Sequence, residues 1–226
     1  DNLDSTKIFN GSSDIQILEN IRFFEGEKSN CNKLGKSLSS LGDIYVFDAF
    51  GTSHREQSST HSAILNSNLS CAGLLLEKEI DSLTKALNES QNPYTAIIGG
   101  AKVSTKLELI KNINSKADHI IVGGGIANTF LKAAGHEIGI SLCEESMVGI
   151  AKELLNDGKI ILPDTVITSK TFEGEDIKEK HISEVKKNEM ILDQFLNDEI
   201  DNAISSSNTI LWNGPLGVFE NKSFKE

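Results

Sequence analysis

The densest phosphate-compatible chemistry in the chain is the run Ala96-Ile97-Ile98-Gly99-Gly100-Ala101-Lys102-Val103-Ser104-Thr105-Lys106. The apolar stretch Tyr94–Ile98 reads as a buried strand passing into a double glycine. The pattern then predicts a helix that opens with Lys102 and Lys106, one turn apart on one face. Without a Cβ, Gly99 and Gly100 let the backbone approach a ligand closely. A helix N-terminus offers unpaired N–H groups and partial positive charge, which suits a phosphate. Two surface lysines on a solvated helix would give the same pair; the strand–glycine–helix setting favours the anion site. No G-x-x-x-x-G-K-[ST] occurs, so this is not a P-loop.

Three further clusters carry compatible chemistry. Arg22, in Glu19-Asn20-Ile21-Arg22-Phe23, follows the apolar run 15–18, where a guanidinium can grip a carboxylate or phosphate through two hydrogen bonds. A plain surface arginine fits that position too. Asp48-Ala49-Phe50-Gly51-Thr52-Ser53-His54-Arg55 joins a strand end, a glycine turn and a His-Arg pair, which suits either an anion site or an ordinary loop. Trp212-Asn213-Gly214-Pro215-Leu216-Gly217-Val218-Phe219-Glu220 is a tight loop closed by a carboxylate. That carboxylate could accept from a ribose hydroxyl, help hold Mg²⁺, or stand solvated at a structural turn. Gly123-Gly124-Gly125 lacks the G-x-G-x-x-G spacing and disfavours a dehydrogenase; it could form a flat wall against an adenine or a flexible turn. No His/Cys cluster has metal-ligand spacing, and no G-x-S-x-G elbow is present.

The elements that must position these residues alternate. Apolar, β-branched runs at Tyr94–Ile98, His119–Val122, 159–162 and 209–212 each end in turn-forming residues and are separated by helical patterns. That order predicts a parallel sheet with helices on both faces and ligands beyond the carboxyl ends of its strands. The first half has strands at 44–47 and 15–18. Between the halves, 71–87 reads as one helix with an apolar stripe of Leu75, Leu76, Ile80, Leu83 and Leu87, serving as an interdomain connector or as a core helix. The charged stretch 173–189 reads as a solvated loop. No internal repeat or low-complexity tract is found.

The bulk numbers bound the rest. The 226 residues suffice for one large or two modest domains, and 38% hydrophobic with 24% charged residues is ordinary for a soluble protein. No apolar run approaches the roughly 20 residues that cross a bilayer. A net charge of −11 argues against nucleic acid and leaves a few local cations to hold any phosphate. Cys31, Cys71 and Cys143 are far apart and read as reduced cytosolic thiols. The first residues resemble no signal peptide. With no initiator methionine and no closing element, the chain is expected to be a piece of a longer protein.

Taken in order, 19–23, Gly42-Asp43-Ile44-Tyr45-Val46-Phe47 continuing to Arg55, 99–106, 123–132 and 212–220 resemble the phosphoglycerate kinase family over nearly the whole chain. The resemblance implies an α/β fold: two Rossmann-like parallel-sheet domains joined by a long helix, both incomplete here. Residues 1–70 would be the latter part of the substrate domain, 71–90 the interdomain helix, and 91–226 the nucleotide-binding domain without its C-terminal part. It implies glycolytic phosphoryl transfer between 1,3-bisphosphoglycerate and ADP, giving 3-phosphoglycerate and ATP. A cytoplasmic monomer is expected, with no nucleic-acid or membrane partner. The implied cofactor is Mg²⁺, its ligand aspartate expected outside this stretch and no metal ligand assigned within it.

By the same resemblance, Arg22 and Arg55 match substrate-binding arginines, and Lys102 matches the lysine that stabilises the transferring phosphoryl beside helix N–H groups. Lys106 matches a nucleotide-phosphate lysine. Gly124, Gly125 and Leu142 match parts of the adenine pocket, and Asn213 and Glu220 match nucleotide contacts, Glu220 at the ribose. The family's opening substrate motifs and its closing glycine loop with the metal aspartate are absent, so this stretch alone is expected to be inactive. Asp193-Gln194-Phe195-Leu196 stands where the family usually has Asp-Ile-Gly followed by a small or polar residue. That departure leaves a non-catalytic nucleotide-binding homologue as the alternative.

Overall fold

The computed structural model describes residues 17–224. The chain separates into two units, Asp1–Thr84 and Lys85–Glu226. Of the strand expected at 15–18, Ile15 and Gln16 lie outside the described residues.

In the first unit, Ile21–Phe23 forms one 3-10 turn, and the Asn20 side chain accepts the Arg22 N–H at 3.0 Å. Helix α1 (Asn32–Ser39) turns Leu34 and Leu38, four residues apart, onto Phe24 and the first residue of α2 (Ala63–Asn66). Strand β1 (Tyr45–Phe47) pairs in parallel with β2 (Ser70–Ala72). The strand expected at 44–47 is therefore present, one residue shorter. The helix expected from residue 71 begins later, as α3 (Leu74–Asn88). Ser70, Cys71 and Ala72 instead take ladder bonds from β1, and the Gly73 N–H donates to the Phe47 carbonyl at 2.8 Å. The Asp48 carboxylate then accepts the Leu76 N–H at 2.7 Å, satisfying one of the orphan donors of the first turn of α3. Of the expected stripe only Leu76 is buried; Leu75 and Ile80 are exposed.

The second unit opens with β3 (Tyr94–Ile98), all five residues buried, followed by α4 (Leu107–Asn114), β4 (His119–Val122) and α5 (Gly124–Ala133). Next come α6 (Val148–Leu155) and β5 (Ile160–Ile161), shorter than the run 159–162 predicted. Strands β6 (Thr165–Ser169), β7 (Lys178–His181) and β8 (Met190–Gln194) precede α7 (Asp198–Ser205) and β9 (Thr209–Asn213). The order β5-β4-β3-β9 is parallel throughout. Strand alternation splits β3 between two cores. Tyr94, Ala96 and Ile98 pack with Ile110 and Ile113 of α4, Ile126 and Phe130 of α5 and Ala151 of α6. Ile97, on the other face, packs with Ile121, Ile161 and Ile200 and Ala203 of α7. Helices thus cover both faces, as the alternating pattern implies.

The loop expected at 173–189 is corrected. Its middle is β7, the edge of an antiparallel sheet ordered β7-β6-β8. Ile182 and Val185 are buried with Val166, Leu131 and Ile191. Lys-Glu-Lys-His gives no apolar alternation to read, because charge is admitted at an edge strand and Lys180 meets Glu189 at 2.8 Å with both side chains under 10% exposed. Lys180's hydrogen bond holds the Glu189 carboxyl below its ordinary range.

Candidate functional site

Strand order reverses about β3, with β4 and β5 on one side and β9 on the other. Ligands of such sheets lie beyond the carboxyl ends at the reversal, and the turns after β3, β4 and β9 meet there. Gly99 sits so close to the loop after β9 that a Cβ would stand 1.8 Å from the Pro215 carbonyl oxygen. A Cβ on Gly125 would stand 2.3 Å from the Ala101 carbonyl oxygen. These glycines serve loop-on-loop packing, so the close approach expected of Gly99 is made to Pro215.

The three turns, with β8 and the segment after α5, enclose a cavity of about 560 Å³, within the size range of small-molecule sites. Gly100 and Ala101 line it from β3, Gly124, Gly125 and Asn128 from α5, Ile140 and Leu142 from the following loop, and Pro215, Gly217, Val218 and Glu220 from the loop after β9. Four expected residues, Gly124, Gly125, Leu142 and Glu220, therefore share one wall system. Lys106 and Asn213 also meet: the lysine ammonium donates to the Asn213 side-chain oxygen. Neither is in the lining, but the Lys106 Cε lies 4.0 Å from where a Cβ on the lining residue Gly100 would be.

Two expectations about the lysines are corrected. Lys102 and Lys106 do not ride a helix; Lys106 is the N-cap of α4 and Lys102 stands exposed on the turn before it. Thr105 bonds locally in place of helix: its hydroxyl donates to the Lys102 carbonyl at 2.8 Å, and the Lys106 N–H returns to Val103 at 2.9 Å. The helix end that abuts the cavity is that of α5. Its Gly124 N–H donates to the Leu216 carbonyl at 2.7 Å and its Ile126 N–H to the Gly100 carbonyl at 3.0 Å, so these donors bind loops together.

Strand β8 gives Met190, Ile191 and Leu192 to the cavity. Phe195 and Leu196 line neither it nor the recess of about 10 Å³ that Gln194 borders with Gly124 and Asp193. The departure from the family's Asp-Ile-Gly thus lies off the main lining. Sequence reasoning missed Phe172, Ile140 and Val218. Phe172 reaches the cavity from the β6–β7 connection, which offered no apolar periodicity.

In the first unit, Arg22 lines a recess of about 290 Å³ with Tyr45, Asp48, Thr52, Gln57 and Thr60. Arg55 is exposed and outside that lining; its N–H donates to Thr52 at 3.0 Å and its carbonyl accepts from the Thr60 hydroxyl. The buried Glu27 carboxylate accepts from the Ser59 N–H at 3.0 Å and the Ser59 hydroxyl at 2.5 Å. Tyr45 donates to the Ser59 carbonyl at 2.8 Å, and burial pushes its phenol pKa up. Among the described residues no three His, Cys, Asp or Glu side chains form a metal-binding group. No helix among the described residues is long and apolar enough to cross a membrane.

A parallel sheet covered on both faces, with a largely apolar cavity beyond its carboxyl ends, defines the class of α/β small-ligand domains. Within that class the assignment is specific. The family model described as phosphoglycerate kinase matches residues 6–226, and the chain belongs to that family. It is 45% identical over 217 residues to the phosphoglycerate kinase of Vibrio campbellii, covering 95% of this chain and 56% of that protein. It is 46% identical over 218 residues to that of Blochmanniella floridana, covering 95% and 54%. Among solved structures, phosphoglycerate kinase from Coxiella burnetii superposes with a TM-score of 0.72 at 42% identity, covering 92% of this chain and 56% of that one. The Pyrococcus horikoshii enzyme gives 0.74 at 29% identity with the same coverages. The chain spans about half the length of the curated relatives it matches.

Proposed function

We propose that this chain serves phosphoryl transfer between 1,3-bisphosphoglycerate and ADP, giving 3-phosphoglycerate and ATP, as a cytoplasmic monomer. The observation that carries the reading is one cavity walled by Gly124, Gly125, Leu142 and Glu220, with Lys106 and Asn213 paired beside its lining residue Gly100. The adenine lies against the two glycines and Leu142, and Glu220 accepts from the ribose. Lys106 and Asn213 hold the nucleotide phosphates. Arg22 and Arg55, on residues 1–70, bind the phosphoglycerate, residues 71–90 connect, and residues 91–226 bind nucleotide.

Phosphoryl transfer asks a protein for positioning and for charge at the equatorial oxygens more than for covalent chemistry. Lys102, exposed on the turn that leaves the Gly100–Ala101 wall, supplies that charge. Mg²⁺, when bound with the nucleotide, neutralises phosphate charge; its ligand aspartate is assigned outside this stretch of sequence. A coupled assay of the complete gene product tests the reading. ATP formation from ADP and 1,3-bisphosphoglycerate is expected. ADP binding with no turnover would replace it with a non-catalytic nucleotide-binding homologue, and neither would end both. The 226-residue chain alone is expected to bind nucleotide without turnover.

A further inference from the structure

The loop that brings Leu142 to the cavity also carries Glu144, for which the assignments above have no use. Its carboxylate Oε2 accepts the Ser104 N–H at 2.8 Å, inside the turn between Lys102 and Lys106. The Glu144 N–H donates to the Thr129 hydroxyl at 3.1 Å, and that hydroxyl donates to the Gly125 carbonyl at 2.9 Å. Two residues earlier, the Leu142 carbonyl accepts from the Asn128 amide at 3.1 Å. Glu144 therefore ties the lysine turn, through its side chain, to a loop that its own N–H and the Leu142 carbonyl fix to α5.

The turn needs such a tether. Val103 is buried, but Lys102, Ser104 and Thr105 are exposed and the helix starts only at Leu107. Hydrogen bonding to Ser104, with a smaller contribution from the charge of Lys102, holds the Glu144 carboxyl below its ordinary range. The group is thus anionic at neutral pH.

We propose that Glu144 is a positioning residue whose carboxylate, through the Ser104 amide, sets the lysine turn against the cavity walls, so that the lysines meet the phosphates of a nucleotide whose base occupies the cavity. The proposal rests on the nucleotide reading above. It makes a prediction of opposite sign from a simple field effect. A carboxylate beside Lys102 repels phosphate, so a mere counter-charge would tighten nucleotide binding when removed. A tether, once cut, weakens it.

Calorimetric affinities of this chain for ADP and for adenosine, in Glu144→Ala and Glu144→Gln, separate the two. The tether predicts ADP binding weaker by about tenfold in Glu144→Ala and adenosine binding unchanged, with Glu144→Gln restored because its side-chain oxygen still accepts from Ser104. Tighter ADP binding in both variants overturns the proposal, and so does an equal loss for ADP and adenosine. Hydrogen exchange reads the tether without ligand: protection of the Ser104 amide is expected to vanish in Glu144→Ala and persist in Glu144→Gln. Unchanged protection in Glu144→Ala overturns it. If the unsubstituted chain binds no ADP, the nucleotide reading falls, and the Ser104 amide then decides the tether alone.

Discussion

The two units differ in how far their sheets are covered. Lys85–Glu226 buries both faces of the central strands β3 and β4 of a four-stranded parallel sheet, and the three turns at its carboxyl end pack on one another around a cavity. Among the described residues, Asp1–Thr84 has two strands of three residues each, and Val46, Leu65, Leu69 and Leu74 near them are exposed. Arg55 lies outside the recess that Arg22 lines. Close loop packing demands a covered sheet beneath it, because only fixed strand ends hold their turns in register. A cationic loop can form without that support; the recess beside Arg22 has about 290 Å³ against about 560 Å³ for the cavity of the second unit.

The sharpest cut through this comparison is Lys102→Ala against Arg22→Ala in the complete protein. Removing a charge contact made in the transition state costs about 10²–10³ in rate, roughly 3–4 kcal/mol. Lys102→Ala should therefore lower kcat by that factor with little change in nucleotide affinity. Arg22→Ala should chiefly raise KM for the phosphoglycerate, by about tenfold. Equal losses of affinity and turnover at Lys102 would move it to ground-state binding and erase the distinction.

The next test compares the sheets directly. Amides of β3 and β4 are buried within a covered sheet, whereas β2 is exposed along its length. Hydrogen exchange on this chain should show protection of Ile97 and Ile121 exceeding that of Val46 and Cys71 by at least about a hundredfold. Equal protection would show that the two-stranded sheet is as well supported as the four-stranded one.

That contrast also explains what could be read from sequence. The four parallel strands are legible as unbroken apolar runs closed by turn residues; β3 and β4 carry that signature because both of their faces are buried, and β9 carries it although Ile210 and Trp212 are exposed. The antiparallel sheet is not legible in this way. Lys178, Glu179 and Lys180 lie on an edge strand where charge is tolerated, and the Lys180–Glu189 pair satisfies the buried part. Strand β2 was taken into a helix because Cys71 and Ala72 fit a helical stripe as well as a ladder. The site followed the same rule. Gly124, Gly125, Leu142 and Glu220 came from local motifs and converge. The turn carrying Lys102 was misread as helix, since the Thr105 hydroxyl bond that replaces the helix leaves no periodic trace.

Glycine substitutions probe enclosure at smaller amplitude. Gly125→Ala places a Cβ against the Ala101 carbonyl, backbone that cannot swing aside. It should cost about 1–3 kcal/mol of stability and weaken ADP binding. In the first unit, a Cβ on Gly51 meets nothing within 4 Å, and Gly51→Ala should stay within about 0.5 kcal/mol. Thermal melts of the two variants check both. A neutral Gly125→Ala would mean the turns are not packed to the tolerance that encloses the cavity.

The smallest effect concerns the sheet that was hidden in the sequence. Glu189 is held ionised chiefly by the Lys180 hydrogen bond and also accepts the Lys186 N–H at 3.0 Å. Its folded pKa lies below the unfolded value, so its contribution is present above the ordinary carboxylate pKa of about 4.3 and is lost as pH falls through the depressed folded value. Glu189→Gln removes that linkage but keeps an oxygen to accept from Lys180. At neutral pH the variant should be less stable by on the order of 1 kcal/mol, about 3–5 °C in Tm. As pH falls from the ordinary carboxylate range through the depressed folded value, the native carboxyl protonates, loses its charge and comes to resemble the amide, so the two melting curves should converge. A gap that stays constant with pH would assign the loss to shape or packing. Convergence would show that a charged pair, invisible to hydrophobic periodicity, helps support the sheet that carries Ile191 and Leu192 to the cavity wall.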